Sequence, residues 1–401
     1  MKTLGGMSLL VLFVALASGR SLGQGTPSQS ASHEASASPA ISVGGEPVVT
    51  LKRPPSKDES TPRFVEATIL PGRGMNTLQI KAFIPGRGEV DLFDSPAPPE
   101  AKQLLDEGDD EFGNKGFSVG AAILLPYANR ITGKLSSDGK TIATDIAGKT
   151  ISLPANWHGK KPGATVLAMH GLILSAKFQD VHVHNGPAES SVSANLQAGD
   201  FGGHWPSQTD VRIQTVLKDA AVEFTVTTKN VGQEALPVGV AFHPWFRLLS
   251  GKREQIRLHV PADERALVNN YDDVLPTGKV ESVTGTPYDF TAPEGAALGT
   301  LFMDDFFPDV KRQSDGTAVV KLIDPAAGYG LRIVALSREV KGFQVYAPLD
   351  RNVVAIEPQF NLADPYNQIW GKRNNGMVLL QPGQSVAWRV RLELFTPAKS
   401  Q

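Results

Sequence analysis

The chain has no cysteine. This excludes disulfides, thiolate metal sites and cysteine nucleophiles together. It also lacks an excess of either charge: 39 Lys and Arg face 41 Asp and Glu, for a formal net charge of −2. No long basic block is present, which argues against nucleic acid as a partner, because phosphate binding needs clustered Lys and Arg. Long apolar runs are missing too. None approaches the ~20 residues that cross a bilayer, so no membrane span is expected. Gly-rich phosphate loops, a GxSxG elbow and an HExxH pair are absent. What the chain does have is punctuation, 39 Gly and 29 Pro in 401 residues, and a 41% hydrophobic share that can build a core.

The N-terminus reads as an address. Lys2, the apolar run Met7 to Ala17 and the small residues through Gly23 describe a secretory signal over residues 1–23. An exported protein, periplasmic or secreted, is expected. No cysteine follows the signal to carry a lipid anchor. Residues 24–62 read as a flexible linker: GTPSQSASHEASASP is small and polar, and KRPPSKDESTP follows one short apolar segment at Val48–Leu51. Compact structure is expected from Arg63 to Pro397 as one domain.

In that domain the dominant period is two. Val386, Trp388, Val390, Leu392 and Leu394 alternate with Ala387, Arg389, Arg391, Glu393 and Phe395, and Val222, Phe224 and Val226 with Glu223, Thr225 and Thr227. Turn signals at Lys218-Asp219, Asp138-Gly139 and Gly328–Gly330 separate such runs. One helix is predicted, at Pro99–Glu107. The fold class is therefore all-β, a large antiparallel β-sandwich with very little helix.

Without cysteine, proton transfer and nucleophilic roles fall to His, Asp, Glu, Ser or Lys. His243 ends the apolar run from Pro237 and is held extended by Pro244 beside Trp245 and Phe246. It reads either as a desolvated proton-transfer group or as a core histidine bonded to a backbone carbonyl. Glu357 follows Asn352-Val-Val-Ala-Ile and precedes Pro358. It reads as a general-base candidate or as a carboxylate paired with an arginine at a sheet edge. His170-Gly171 closes Thr165–Met169, and Asn129-Arg130 closes a strand from Ala121. Four strand-like segments thus end in ionisable or polar residues, the arrangement of a shared cleft. His182-Val183-His184 has the spacing of some metal sites but no evident further ligands. Asp304-Asp305 reads as a cation chelate or as a solvated acidic pair.

Taken together, these segments resemble the aldose 1-epimerase (galactose mutarotase-like) family from about Thr61 to Phe395. The matches run in order: Pro126-Tyr-Ala-Asn-Arg-Ile131, Met169-His-Gly171, Phe242-His-Pro-Trp-Phe246, Leu275-Pro-Thr-Gly278, Thr286-Pro-Tyr-Asp-Phe290, Gln344-Val-Tyr346, Ile356-Glu-Pro-Gln359, Asp364-Pro-Tyr-Asn367 and Leu380-Gln-Pro-Gly383. The resemblance implies a sandwich whose concave face binds a sugar ring, needing neither metal nor organic cofactor. It implies that Glu357 is the general base at the anomeric hydroxyl, His243 the general acid at the ring oxygen and His170 a second histidine beside them. Arg130 and Asp304 would contact sugar hydroxyls, with Asp305 the alternative to Asp304. Asn129 and Gln359 would support the site, and Trp245 or Tyr346 would face the sugar's C–H surface. The chain departs from the family at Pro244-Trp245-Phe246-Arg247 and at Gly171-Leu172-Ile173, which bears on substrate identity. The expected activity is interconversion of the anomers of a free aldose. The alternatives are a non-catalytic carbohydrate-binding or polysaccharide-processing accessory using the same cleft, and a hydrolase or lyase of related architecture.

Overall fold

The computed structural model describes residues 41–110 and 112–398. The expected signal and the first part of the expected linker lie outside the described residues. These residues form antiparallel strands with one α-helix, Pro98–Asp106, and three short 3-10 turns. The all-β expectation holds, and the helix sits one residue from its predicted bounds. No helix among the described residues is long and apolar enough to cross a membrane.

Two nine-stranded sheets dominate. The first runs, edge to edge, Met303–Pro308, Gly342–Ala347, Val353–Gln359, Ala241–Arg247, Ala121–Leu124, Asn76–Ile84, Arg63–Leu70 and Val49–Lys52, with Gly88–Asp91 added on Asn76–Ile84. The second runs Gln179–Asn185, Ser190–Gly199, Thr209–Leu217, Ala221–Asn230, Ser385–Phe395, Tyr329–Ala335, Ala318–Asp324, Arg257–His259 and Ala296–Ala297. The alternation read from the sequence decides which faces meet. Val222, Phe224 and Val226 pack inward with Trp388, Val390 and Leu392. They meet Phe242 of the first sheet, whose ring centre lies 4.5 Å from Phe224 and 6.3 Å from Trp388. Lys218-Asp219 makes the expected turn, with Lys218 N–H donating to the Ala221 carbonyl.

The folded body begins earlier than Arg63. Val49–Lys52 pairs along Arg63–Leu70 and buries Leu51 completely, so this part of the expected linker is an edge strand. Val43, also fully buried, packs with Ala101 and Leu105, the inward face of the helix, and with Leu70 and Leu78. Four-residue strands flanked by prolines carry too little period to be distinguished from a linker. Two fully buried aliphatic side chains contribute ~3–6 kcal/mol. A chain starting at Arg63 is therefore expected to unfold at lower urea than one starting at Ile41, by about that free energy in denaturation monitored by tryptophan fluorescence.

Candidate active site

Three adjacent strands of the first sheet sort their side chains by parity. On Ala241–Arg247, Phe242 and Phe246 enter the core while His243 and Trp245 face a cleft. On Val353–Gln359, Val354 and Ile356 enter the core and Glu357 faces the cleft; on Gly342–Ala347, Phe343 and Val345 go in and Gln344 and Tyr346 come out. Register then sets neighbours. Ala241 pairs with Gln359 and Trp245 with Ala355, which places His243 opposite Glu357. Glu357 pairs in turn with Gln344. Pro244 and Pro358 have no N–H to give the ladder, and pairing lapses between those two rungs. His243 Nε2 lies 3.4 Å from Glu357 Oε1. Gln359, fully buried and not a cleft residue, donates to Glu357 Oε2 at 2.9 Å and so holds the carboxylate.

The other ionisable groups come from loops. The strand from Ala121 stops at Leu124 rather than at Asn129-Arg130, and Arg130 instead opens Arg130–Ile131, which pairs with Val166–Met169. Asn129 and His170 have left-handed backbones, φ 62° and 63°, a conformation costing a non-glycine residue ~1–2 kcal/mol. Local bonds offset the cost. His170 N–H donates to the Asn129 carbonyl at 2.9 Å, and Asp364 N–H donates to the Arg130 carbonyl at 2.6 Å. Asn361 clamps Ala128 through both its N–H and its carbonyl, each at 3.0 Å. Asp364 also accepts from Thr132 N–H at 2.9 Å. The Asp364-Pro-Tyr-Asn367 motif is thus a brace for the Arg130 segment. At Gly171, φ 80°, a Cβ would stand 2.4 Å from the Leu125 carbonyl oxygen, so only glycine fits behind His170.

The result is a cleft of about 490 Å³ lined by Asn129, Arg130, His170, His243, Trp245, Asp304, Tyr346 and Glu357. One end holds Glu357 and two imidazoles: the rings of His170 and His243 lie 5.1 Å apart, edge to face. The other end is a closed ring of polar side chains. Arg130 Nη1 donates to Asn129 Oδ1 at 2.9 Å, Asn129 Nδ2 to Gln344 Oε1 at 3.2 Å and Gln344 Nε2 to Asp304 Oδ1 at 2.5 Å, and Arg130 Nη2 closes on Asp304 Oδ2 at 3.5 Å.

Asp305 is not in the cleft. The next residue on a strand points the other way, and Asp305 is fully buried, accepting from Arg265 Nη1 at 2.5 Å and from the Tyr271 hydroxyl at 3.0 Å. Asp304 is therefore the cleft residue of the pair. His182 and His184 lie on the exposed edge strand Gln179–Asn185 of the second sheet. Among the described residues, no group of three or more His, Asp and Glu could hold a metal ion. Gln344, Trp157 and Phe117 also line the cleft and were not anticipated as site residues. Gln344 was legible: it shares a strand face with Tyr346. Trp157 and Phe117 arrive on a two-residue strand and a 3-10 turn, which have no readable period.

Burial sets the electrostatics. It raises the Glu357 carboxyl well above the usual range, helped by the charge of Asp304 and opposed by Gln359 and Arg130. It lowers the His243 imidazole to about 4, with Arg130 acting in the same direction. His170 is held well below its usual value by burial and then by the charges of His243 and Arg130. Both shifts penalise charge on the apposed pair and favour the neutral form of each group.

A buried carboxylate and imidazole set against each other, facing a closed ring of polar side chains in a cleft of a β-sandwich, define the class of protein. The aldose 1-epimerase profile matches residues 93–393, and the chain belongs to that family. Similar solved structures include a galactose mutarotase-like protein from Clostridium acetobutylicum, 20% identical with a TM-score of 0.66 over 83% of this chain and 94% of that one. An aldose epimerase homologue from C. elegans is 17% identical, TM-score 0.64, over 88% and 99%. Galactose 1-epimerase from Lactobacillus acidophilus is 14% identical, TM-score 0.60, over 88% and 99%. At these identities the likeness speaks for the fold. No curated protein matches the chain significantly.

The raised Glu357 carboxyl has a consequence for stability. A folded-state value above the unfolded one favours folding at pH below the unfolded value, and that contribution is lost as pH rises through the folded value. Glu357→Gln removes the titration. The melting temperature of the variant relative to wild type is expected to rise from pH 4 to pH 8.5 in thermal scans; a difference independent of pH would contradict the raised value.

Proposed function

We propose that this protein is an aldose 1-epimerase that interconverts the α and β anomers of a free aldose. The observation carrying this reading is the 3.4 Å apposition of His243 and Glu357, both buried, at one end of a cleft whose other end is the Arg130–Asn129–Gln344–Asp304 ring. In the reaction, the Glu357 carboxylate takes the proton of the anomeric hydroxyl. Its O–H electrons form the C1 carbonyl as the bond from C1 to the ring oxygen breaks. The ring oxygen keeps that electron pair and takes a proton from the His243 imidazolium, with His170 beside it. Rotation about C1–C2 exposes the other carbonyl face, and closure runs the same transfers backward. The protonation state this needs, carboxylate and imidazolium, is reached by moving one proton across the pair. General acid–base groups of this kind each contribute ~10²–10⁴-fold. Arg130 and Asp304 hold hydroxyls at the far side, and Trp245 and Tyr346 offer apolar surface to C–H bonds. An accessory lectin has no use for a buried acid–base pair held by its own Gln359. A hydrolase needs a second carboxylate free for chemistry, whereas Asp304 is engaged by Gln344 and Arg130.

Polarimetry or NMR on freshly dissolved α-glucose and α-galactose tests this. Wild type is expected to accelerate anomer exchange, and Glu357→Gln to lose ~10²–10⁴-fold of it. No acceleration across a broad panel of free aldoses would reject the reading. The pH profile of kcat/KM is expected to be a bell. It falls below about 4, where His243 and Glu357 are both protonated and no base remains, and falls again above the raised Glu357 value, where the pair has lost its last proton and no acid remains. A profile flat through pH 4 would contradict the assignment of His243.

We also propose export, from the Met7–Ala17 run and the small residues after it. Mass spectrometry of the protein isolated from its own cell is expected to find an N-terminus near residue 24 outside the cytoplasm. An intact N-terminus retained in the cytoplasm would overturn this.

A further inference from the structure

Beyond His243 and Glu357 the cleft wall is largely aromatic. From Trp245, beside His243, ring contacts continue to Tyr346 at 5.6 Å, from Tyr346 to Phe302 at 6.0 Å and from Phe302 to Tyr271 at 5.1 Å, all edge to face and all on the cleft wall. Sheet order gives this arc a direction. His243, Glu357 and Gln344 occupy successive strands, and Met303–Pro308 with Asp304 is the sheet edge beyond them. Phe302 immediately precedes that edge strand, and Tyr271 comes from the loop beside it. The arc therefore leaves the acid–base pair and passes to the Asp304 side.

Tyr271 is held to present its ring. Its hydroxyl turns inward to Asp305 at 3.0 and 3.1 Å and to the Tyr288 hydroxyl at 3.1 Å. Its loop is pinned by a distant segment of the chain: Asp272 accepts from the N–H groups of Lys160 at 2.9 Å and Lys161 at 3.0 Å. An exposed tyrosine with its polar end already satisfied, fixed on a clamped loop, is a preorganised apolar surface.

We infer that the arc of Phe302 and Tyr271 is a second sugar subsite, and that the substrate class is the reducing end of an oligosaccharide. The inference rests on the epimerase reading. With the anomeric carbon over Glu357 and His243, the far side of the ring lies at Asp304 and Arg130. A glycosidic bond to the next unit leaves from that side, because the anomeric carbon must stay free for the ring to open. The next unit then sits on Phe302 and Tyr271. Asp305 acts through Tyr271 as a positioning residue.

The test compares anomer exchange of glucose with that of cellotriose and maltotriose. One stacked ring contributes about threefold to tenfold. Wild type is expected to show a kcat/KM about tenfold higher for at least one trisaccharide than for glucose, through KM. Phe302→Ala and Tyr271→Ala are each expected to bring that ratio toward one, and Tyr271→Phe, which keeps the ring but loses the hydroxyl's hold on Asp305, to retain it only in part. A ratio of one in wild type, or a ratio unchanged in both alanine variants, overturns the subsite. If no sugar exchanges faster than in buffer, the epimerase reading fails and calorimetric titration judges the subsite alone. Trisaccharide binding about tenfold tighter than glucose binding, lost in Phe302→Ala, then supports it, and equal or absent binding overturns it.

Discussion

Everything in the cleft depends on the register between Ala241–Arg247 and Val353–Gln359. Because side chains alternate, a single register sends Phe242, Phe246 and Ile356 into the core and sets His243 against Glu357 on the other face. A slip of one residue would expose the aromatic core and bury the two ionisable groups among apolar side chains, so the sandwich enforces the site. Phe242, packed against Phe224 and Trp388 across the sandwich, anchors the residue just before the histidine.

The two ends of the cleft solve different physical problems. At the end holding His243 and Glu357, burial penalises charge on both groups, moving the imidazole down and the carboxyl up from their usual ranges. At the other end, Arg130 closes on Asp304 in a ring with Asn129 and Gln344, so the side chains hold one another in place. The aromatic wall extends the same logic outward. Its farthest ring is fixed through Asp305, the neighbour of Asp304 on the opposite strand face.

Much of this was legible locally. The alternation around Trp388 and Val222, the turn at Lys218-Asp219 and the helix after Pro98 are short-range patterns, and each is present. His243 and Glu357 could be singled out because each ends an apolar run before a proline. Val49–Lys52 was not legible, since an edge strand so short is made by its partner Arg63–Leu70 rather than by its own period. Nor were Trp157 and Phe117, which reach the cleft from segments without repeating structure.

By itself the sequence determined the fold class and the chemical identity of the candidate groups, because strand period and residue type are local properties. It could not decide which ionisable residues share a site. His170 and Asn129 reach the cleft through left-handed backbone held by Asn361 and Asp364, more than 190 positions away in the chain. The choice between Asp304 and Asp305 was likewise made by strand parity at the sheet edge, where Arg265 and Tyr271 take one carboxylate and Arg130 and Gln344 the other. Contacts between such distant segments exist only once both sheets have closed on a common core, which is why tertiary structure alone could assign them.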